Sequence, residues 1–275
     1  MAEERMAGSD AQAVRGRMSE LYDVFVDWEG RLAREVPGIR AHLERSGARR
    51  VLDVGCGTGR HVQALLAAGY DAHGADASEE MLAQARALVG AERFHAWRLG
   101  DEPPADLAAG PPFDAVICMG NTWPLVYTEE DARAAARALR RIVRPGGLVL
   151  VGLKALGVRR ESGNPYLPLL KRQKDGRPLW FVRFVDFAVP PLADGTIVGD
   201  LHVVVAAGDG REGGESEAVL HRTARTRVWM PEELGRWFAA AGFVEVRASG
   251  RLDDPGAPPA GEDVFVSARV PPATP

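Results

Sequence analysis

The chain has 275 residues, 46% of them hydrophobic and 26% charged, with 34 basic against 38 acidic side chains and a net charge of −4. That apolar content excludes disorder as the main state, and a field of this size and sign recruits neither nucleic acid nor an anionic membrane. Two cysteines, Cys56 and Cys118, make no disulfide framework and no zinc array. Lys154, Lys171 and Lys174 are the only lysines, so the arginine excess reflects GC-rich codon usage rather than a basic patch. The segment MAEERMAGSDAQ has no apolar signal core, and no run reaches the about 18 apolar residues that cross a bilayer. The expectation is a cytoplasmic protein without a membrane partner.

Residues 1–17 are polar and small and read as a frayed tail. A helical pattern begins at Ser19 with Leu21, Tyr22, Phe25, Val26 and Trp28, resumes with Leu32, Val36, Ile39 and Leu43, and stops at Ser46-Gly47. Val51 to Val54 reads as a buried strand, residues 60–68 as a helix, and Tyr70 to Ala75 as a second strand. Ser78 is a helix N-cap and Gly90 the stop. Phe94 to Leu99 and Phe113 to Met119 are the third and fourth strands. A helix capped by Thr128 runs from Glu129 to Val143, and Pro145-Gly146-Gly147 turns into a fifth strand, Leu148 to Leu153.

Strands alternating with helices predict a doubly wound parallel α/β sheet. The rhythm then changes. Residues 157–178 hold Gly, Pro and the charge run KRQKDGR, and WFVRFVDF, TIVGDLHVVVA and VLHRTARTRVW read as three strands of an antiparallel insertion over 155–230. Pro231 opens a last helix, and Phe243 to Ala248 and Val264 to Ala268 close the chain as strands. The predicted organisation is a core of 18–154 with 231–275, capped by the insertion.

The strongest chemical signal is VLDVGCGTG, a strand ending in Gly55, Gly57 and Gly59 ahead of a helix. Glycines there allow positive φ and close approach of backbone to a ligand, and the helix start offers free N–H groups. The dinucleotide fingerprint wants its third glycine one residue later, so that match fails. Asp76, about 20 residues on, can accept hydrogen bonds from both ribose hydroxyls of a nucleoside. Asp53, inside the strand, is support for the loop or a ligand contact.

Taken with GADASEEMLAQA, the Gly100-Asp101 pair, FDAVICMGN and LRRIVRPGGLVLV, this loop resembles the class I S-adenosylmethionine-dependent methyltransferases over residues 45–155. The resemblance implies a Rossmann-like seven-stranded sheet with the last strand reversed, and S-adenosyl-L-methionine as cofactor with S-adenosyl-L-homocysteine as product. It places Gly55 and Gly57 against the methionyl part, Asp76 on the ribose, Ala77 and Met81 beside the adenine, and Asp101 with the Gly100 N–H at the adenine amino group. Tyr22, Cys56 and Met119 complete the implied cofactor contacts.

Two regions resemble the glycine/sarcosine N-methyltransferase-like branch. Arg31 matches an arginine placed against the cofactor carboxylate, a bidentate fit for a guanidinium, with Arg34 a competitor one turn on and Tyr22 and Trp28 in an N-terminal lid. In MGNTWPL, Asn121 falls where the acceptor meets the sulfonium and Trp123 walls the pocket. Glycine-specific relatives carry Arg and then Asn-Tyr-Asp after the fifth strand. Here Lys154-Ala155-Leu156-Gly157 stands instead, a cation without the bidentate fork and without the Tyr, which argues against free glycine. Arg183, His202, His221 and Trp229 lie in the insertion, where substrate preference varies, and Arg183 joins Lys154, Asn121 and Trp123 as a candidate substrate contact. No metal site is expected.

The expected activity is methyl transfer to a small molecule, most naturally to an amine nitrogen, because no His falls on an acceptor-side motif to serve as base for a hydroxyl. O- or C-methylation of a secondary metabolite, an inactive binding module, and a homo-oligomer formed through the insertion stay open. Nucleic-acid methylation is disfavoured, since Gly120-Asn121-Thr122-Trp123 stands where amino-methylating nucleic-acid enzymes carry Asn/Asp-Pro-Pro-Tyr/Phe.

Overall fold

A computed structural model describes residues 21–120, 122–208, 216–230, 232–259 and 261–273. The expected tail, the start at Ser19, Asn121 and the helix-opening Pro231 lie outside the described residues.

Residues 21–25 are helical and lead into α1, Trp28–Ser46. The Asp27 carboxylate caps this helix by accepting from the Gly30 N–H at 3.1 Å, and Gly47 ends it at φ 65°. Then come β1 (Arg50–Val54), α2 (Arg60–Ala67), β2 (Asp71–Asp76), α3 (Glu79–Val89), β3 (Phe94–Ala96), α4 (Ala105–Ala108), β4 (Phe113–Met119), α5 (Glu129–Ile142) and β5 (Val143–Lys154). Ser78 caps α3, and Thr128 caps α5 in a reciprocal box with Asp131. A short helix α6 (Leu156–Glu161) precedes strands β6 (Leu170–Lys174), β7 (Arg177–Asp186), β8 (Val198–Gly208) and β9 (Ser216–Arg227), and α7 (Glu233–Ala240), β10 (Val244–Ser249) and β11 (Asp263–Arg269) finish the chain.

The main sheet has seven strands in the order β10-β11-β5-β4-β1-β2-β3. β11 lies between β5 and β10 and runs antiparallel to both, while β1 to β5 pair in parallel. One apolar cluster, built on Val116, Leu139 and Phe238, covers one face; a second, built on Ile39, Leu65 and Leu82, covers the other. A strand buried on both sides must be apolar throughout, which is why Asp53, 2% exposed in the middle of β1, stands out.

Two expectations need correction. The insertion has four strands, not three, in a meander β6-β7-β8-β9. The charge run supplies the additional strand: Asp175 (φ 52°) and Gly176 (φ 75°) form a two-residue turn with both φ positive. That geometry matches the twist of an antiparallel pair and folds Leu170–Lys174 back on β7. The third strand is also shorter than expected, ending at Ala96 because the chain then turns through Gly100 at φ 105°.

Candidate active site

β1 is flanked by β2 on one side and β4 on the other, so the sheet order reverses there and a crevice opens beyond the carboxyl ends of the strands. The glycine loop sits in that crevice. Gly55, Gly57 and Gly59 all have positive φ, at 75°, 54° and 79°. A Cβ on Gly55 would come 2.0 Å from Thr122 Oγ1, so the chain leaving β4 crosses directly over the loop. The Gly57 N–H donates to Asp76 Oδ2 at 2.9 Å and the Ser78 N–H to Oδ1 at 2.9 Å. Burial pushes the Asp76 carboxyl above its ordinary range against these N–H groups.

The N-terminal segment closes over the loop. Tyr22 approaches Gly57 and packs with Phe25 and Trp28; burial raises its phenol, with the Arg31 charge opposing. Asp23 accepts from the Thr58 hydroxyl and the Trp28 indole N–H, both at 2.8 Å, and pairs with Arg60. Phe25 reaches the cap, 5.4 Å from the Phe181 ring.

Beneath the loop runs a polar chain. Arg31 Nε pairs with Glu35 at 3.0 Å, and Glu35 Oε2 and His61 Nε2 share a hydrogen bond at 2.8 Å. His61 Nδ1 stands 3.9 Å from Asp53 Oδ2, and that oxygen is buried with no hydrogen-bond partner. Burial outweighs the nearby His61 and Arg31 charges and pushes the Asp53 carboxyl up to about 6. Burial would raise Glu35 as well, but its bond with His61 and the Arg31 charge hold it below the usual carboxylate range. The other face of the Arg31 guanidinium leans on Gly120, where a Cβ would meet Nη2 at 2.9 Å.

A cavity of about 490 Å³ opens next to this chain. Arg31, Met119, Gly120, Leu125, Gly152 and Lys154 line it from the sheet and the lid, and Leu170, Arg172, Arg183, Leu201 and Thr226 line it from the cap. Gly55, Gly57 and Asp76 of the cradle do not line it, whereas Arg31 and Glu35 of the polar chain do.

The candidate residues fall into groups. Arg31, Met119, Lys154 and Arg183 line the cavity, with Lys154 paired to Asp263 at 2.7 Å. Gly55, Gly57, Asp76 and Tyr22 form the cradle. Ala77, Gly100, Met81 and Asp101 follow the ends of β2 and β3, Asp101 being exposed and 3.6 Å from Arg98. Two expectations are corrected. Trp123 does not wall the pocket: it is fully buried and stacked 5.4 Å from Phe238 beneath α7, where apolar burial outweighs exposure to a ligand, while Pro124 and Leu125 line the cavity. Cys56 turns its side chain inward against Gly74, and its N–H donates to the Ala75 carbonyl, so neither group faces a ligand. Burial pushes both Cys56 and Cys118 thiols well up.

Sequence reasoning missed Asp23, Glu35 and Thr122. The i,i+4 spacing of Arg31 and Glu35 was a signal for the second; nothing in the local pattern marked the other two.

Residues 51–147 match the family described as "Methyltransferase domain". Glycine/sarcosine N-methyltransferase of Halorhodospira halochloris is 33% identical over 137 residues, 47% of this chain and 49% of that protein, so the chain spans about half the length of the sequence relatives it matches. Among solved structures, Streptomyces venezuelae DesVI superposes with a TM-score of 0.71 at 24% identity, covering 92% of this chain and 98% of that one. The sugar N-methyltransferase KedS8 from a Streptoalloteichus species gives 0.68 at 23%, covering 91% and 92%. Overlays of that extent take in the cap as well as the sheet. The fold is the Rossmann-like methyltransferase fold, and within it residues 51–147 are the part that matches the methyltransferase-domain family.

Proposed function

We propose that the protein transfers the methyl group of S-adenosylmethionine to a nitrogen of a small-molecule acceptor held under the cap. The observation that carries this reading is the cradle of Gly55, Gly57 and Asp76 beside an acceptor-sized cavity of about 490 Å³, in a chain whose residues 51–147 match the methyltransferase-domain family. The residues suit that cofactor. The glycines let backbone approach it, Asp76 has the chemistry for ribose hydroxyls, and Asp53 supplies a buried, unpartnered carboxylate oxygen for an ammonium. Arg31, with Nε committed to Glu35, presents the rest of its fork to a carboxylate.

The sulfonium supplies an activated methyl carbon when bound. The chain's part is positioning and exclusion of water, which contributes on the order of several kcal/mol to an in-line displacement. Met119, Gly120 and Gly152 shape the sheet side of the acceptor space, and Phe25 and the cap close it. No histidine lines the cavity among the described residues, and its carboxylates are occupied: Glu35 by Arg31, Asp263 by Lys154, Asp27 by the Gly30 N–H. An amine that has already lost its proton needs no base at transfer, whereas a hydroxyl does. The Halorhodospira relative, a glycine/sarcosine N-methyltransferase, supports the same choice.

The test is incubation of the full chain with methyl-labelled S-adenosylmethionine and a panel of small amines, phenols and acids. Label on amine nitrogen is expected. Label only on oxygen or carbon overturns the nitrogen assignment, and calorimetry showing no uptake of S-adenosylhomocysteine overturns the cofactor.

A further inference from the structure

The cap turns arginines toward the acceptor cavity without matching them to acids. Arg183 lies on the inner face of β7 between Phe181 and Val185, opposite Val203 of β8. Its guanidinium stands 5.3 Å from the Phe25 ring and donates through Nη2 to the Pro168 carbonyl at 3.0 Å, while Nε is buried without a partner. No carboxylate acts on it among the described residues; burial and the charges of Arg159 and Arg172 hold its pKa below the ordinary arginine value. Arg172, on β6 and lining the same cavity, donates to the Lys171 carbonyl and joins no ion pair among the described residues. Of the other cavity cations, Arg31 is matched by Glu35, Lys154 by Asp263 and Arg225 by Asp200, while Arg34, on the lid side and away from the cap, joins no ion pair among the described residues.

Placing two guanidinium groups together in a half-buried, apolar-floored space costs free energy. A ligand anion offsets that cost, and a guanidinium fork is the donor best matched to a carboxylate or phosphate. The cavity, about 490 Å³, falls within the roughly 300–1,000 Å³ of sites that take ligands much larger than a single small amino acid.

We propose that Arg183, with Arg172 beside it, holds an anionic group of the methyl acceptor, which is therefore a small amine bearing a carboxylate or a phosphate. This rests on the methyl-transfer reading above. Calorimetric titration of the full chain, with and without saturating S-adenosylhomocysteine and at fixed ionic strength, separates the two sources: inorganic pyrophosphate in one arm, succinate in the other. The wild type is expected to bind at least one of them saturably, and the arm that binds names the acid. R183Q should weaken that binding by at least about ten-fold, with S-adenosylhomocysteine affinity within about two-fold of wild type. R183K keeps the charge but not the fork and should fall between; it carries the test if R183Q melts early. Anion affinity unchanged in both variants shows Arg183 to be packing alone and overturns the proposal. So does a wild type that binds neither anion while still taking up S-adenosylhomocysteine, an outcome that leaves the methyl-transfer reading standing. Failure to take up S-adenosylhomocysteine brings down that reading and this proposal together.

Discussion

Asp23 and Arg60 are joined by an ion pair of 2.5 Å across 37 residues of sequence, and the same carboxylate accepts from the Thr58 hydroxyl at 2.8 Å. One acid in the N-terminal segment thereby clasps both the glycine loop and the first turn of α2, and it fixes Tyr22 above Gly57 and Phe25 against the cap. The pair is about a third exposed, so its ionic part alone is worth up to about 1 kcal/mol, with the hydrogen bonds to the charged group adding about as much again. Asp23→Ala is expected to speed hydrogen exchange of amides 21–28 by about ten-fold and to weaken S-adenosylhomocysteine binding several-fold, with the melting of the sheet barely changed. Mass-spectrometric exchange on the full chain checks this; unchanged rates over 21–28 would show that the clasp holds nothing.

Gly55 is required for two separate reasons. Its φ of 75° is a conformation that side chains rarely adopt, and an added Cβ would lie 2.0 Å from Thr122 Oγ1 and 2.6 Å from Thr122 Cβ. Gly55→Ala is expected to cost about 2–4 kcal/mol through backbone strain and displacement of Thr122. Because the two sites touch, adding Thr122→Ala should recover part of that loss, with a coupling of about 1 kcal/mol in a double-mutant cycle. Urea melts of the four proteins measure it. Strict additivity would mean that the loop and the β4 exit do not press on each other.

How much was legible in the sequence follows from what kind of force fixes each part. The alternating strands and helices, Ser78 and Thr128 as caps, and Gly47 as a stop were visible because local chemistry decides them. The glycine loop was visible because backbone conformation leaves a mark in residue type. The strand β6 was not, since its Leu-Lys-Arg-Gln-Lys sequence is polar on one face and acquires its place only when the Asp175-Gly176 turn lays it along β7. The Asp23 clasp was not, because it joins residues 37 apart and no spacing rule reaches that far. Trp123 was misplaced for the converse reason. A tryptophan after a fourth strand fits either a pocket wall or a core, and only the position of Phe238 on α7 decides between them.

That distinction is measurable. Trp123 is fully buried on Phe238, so Trp123→Ala should cost about 3–5 kcal/mol. Leu125, 48% exposed and lining the cavity, should cost well under about 1 kcal/mol when truncated to Ala, yet raise KM for whichever amine the labelling panel identifies. Comparing melts and KM for the two variants checks the assignment. A stable Trp123→Ala protein with a raised KM would return Trp123 to the pocket wall.

Asp53 gives the sharpest dependence on pH. Burial raises its carboxyl to about 6 in the folded protein, above its ordinary value, so the fold favours the protonated acid. Stability contributed by that preference is present at low pH and declines as pH rises from about 4 through 6, because ionising Asp53 in the fold then leaves a buried charge with an unpartnered oxygen. Two pKa units correspond to on the order of 3 kcal/mol. Asp53→Asn removes the charge, so the variant should gain stability over the wild type progressively between pH 4 and 6, and keep a constant advantage above. The same substitution removes the anion that suits an ammonium group, so S-adenosylmethionine binding at pH 8 should weaken even as the melt rises. Urea melts across pH 4 to 8, set beside calorimetry at pH 8, read the two effects independently. A wild-type-to-variant difference that does not change with pH would show that Asp53 ionises without cost in the fold, and would remove the case that its buried oxygen awaits a cation.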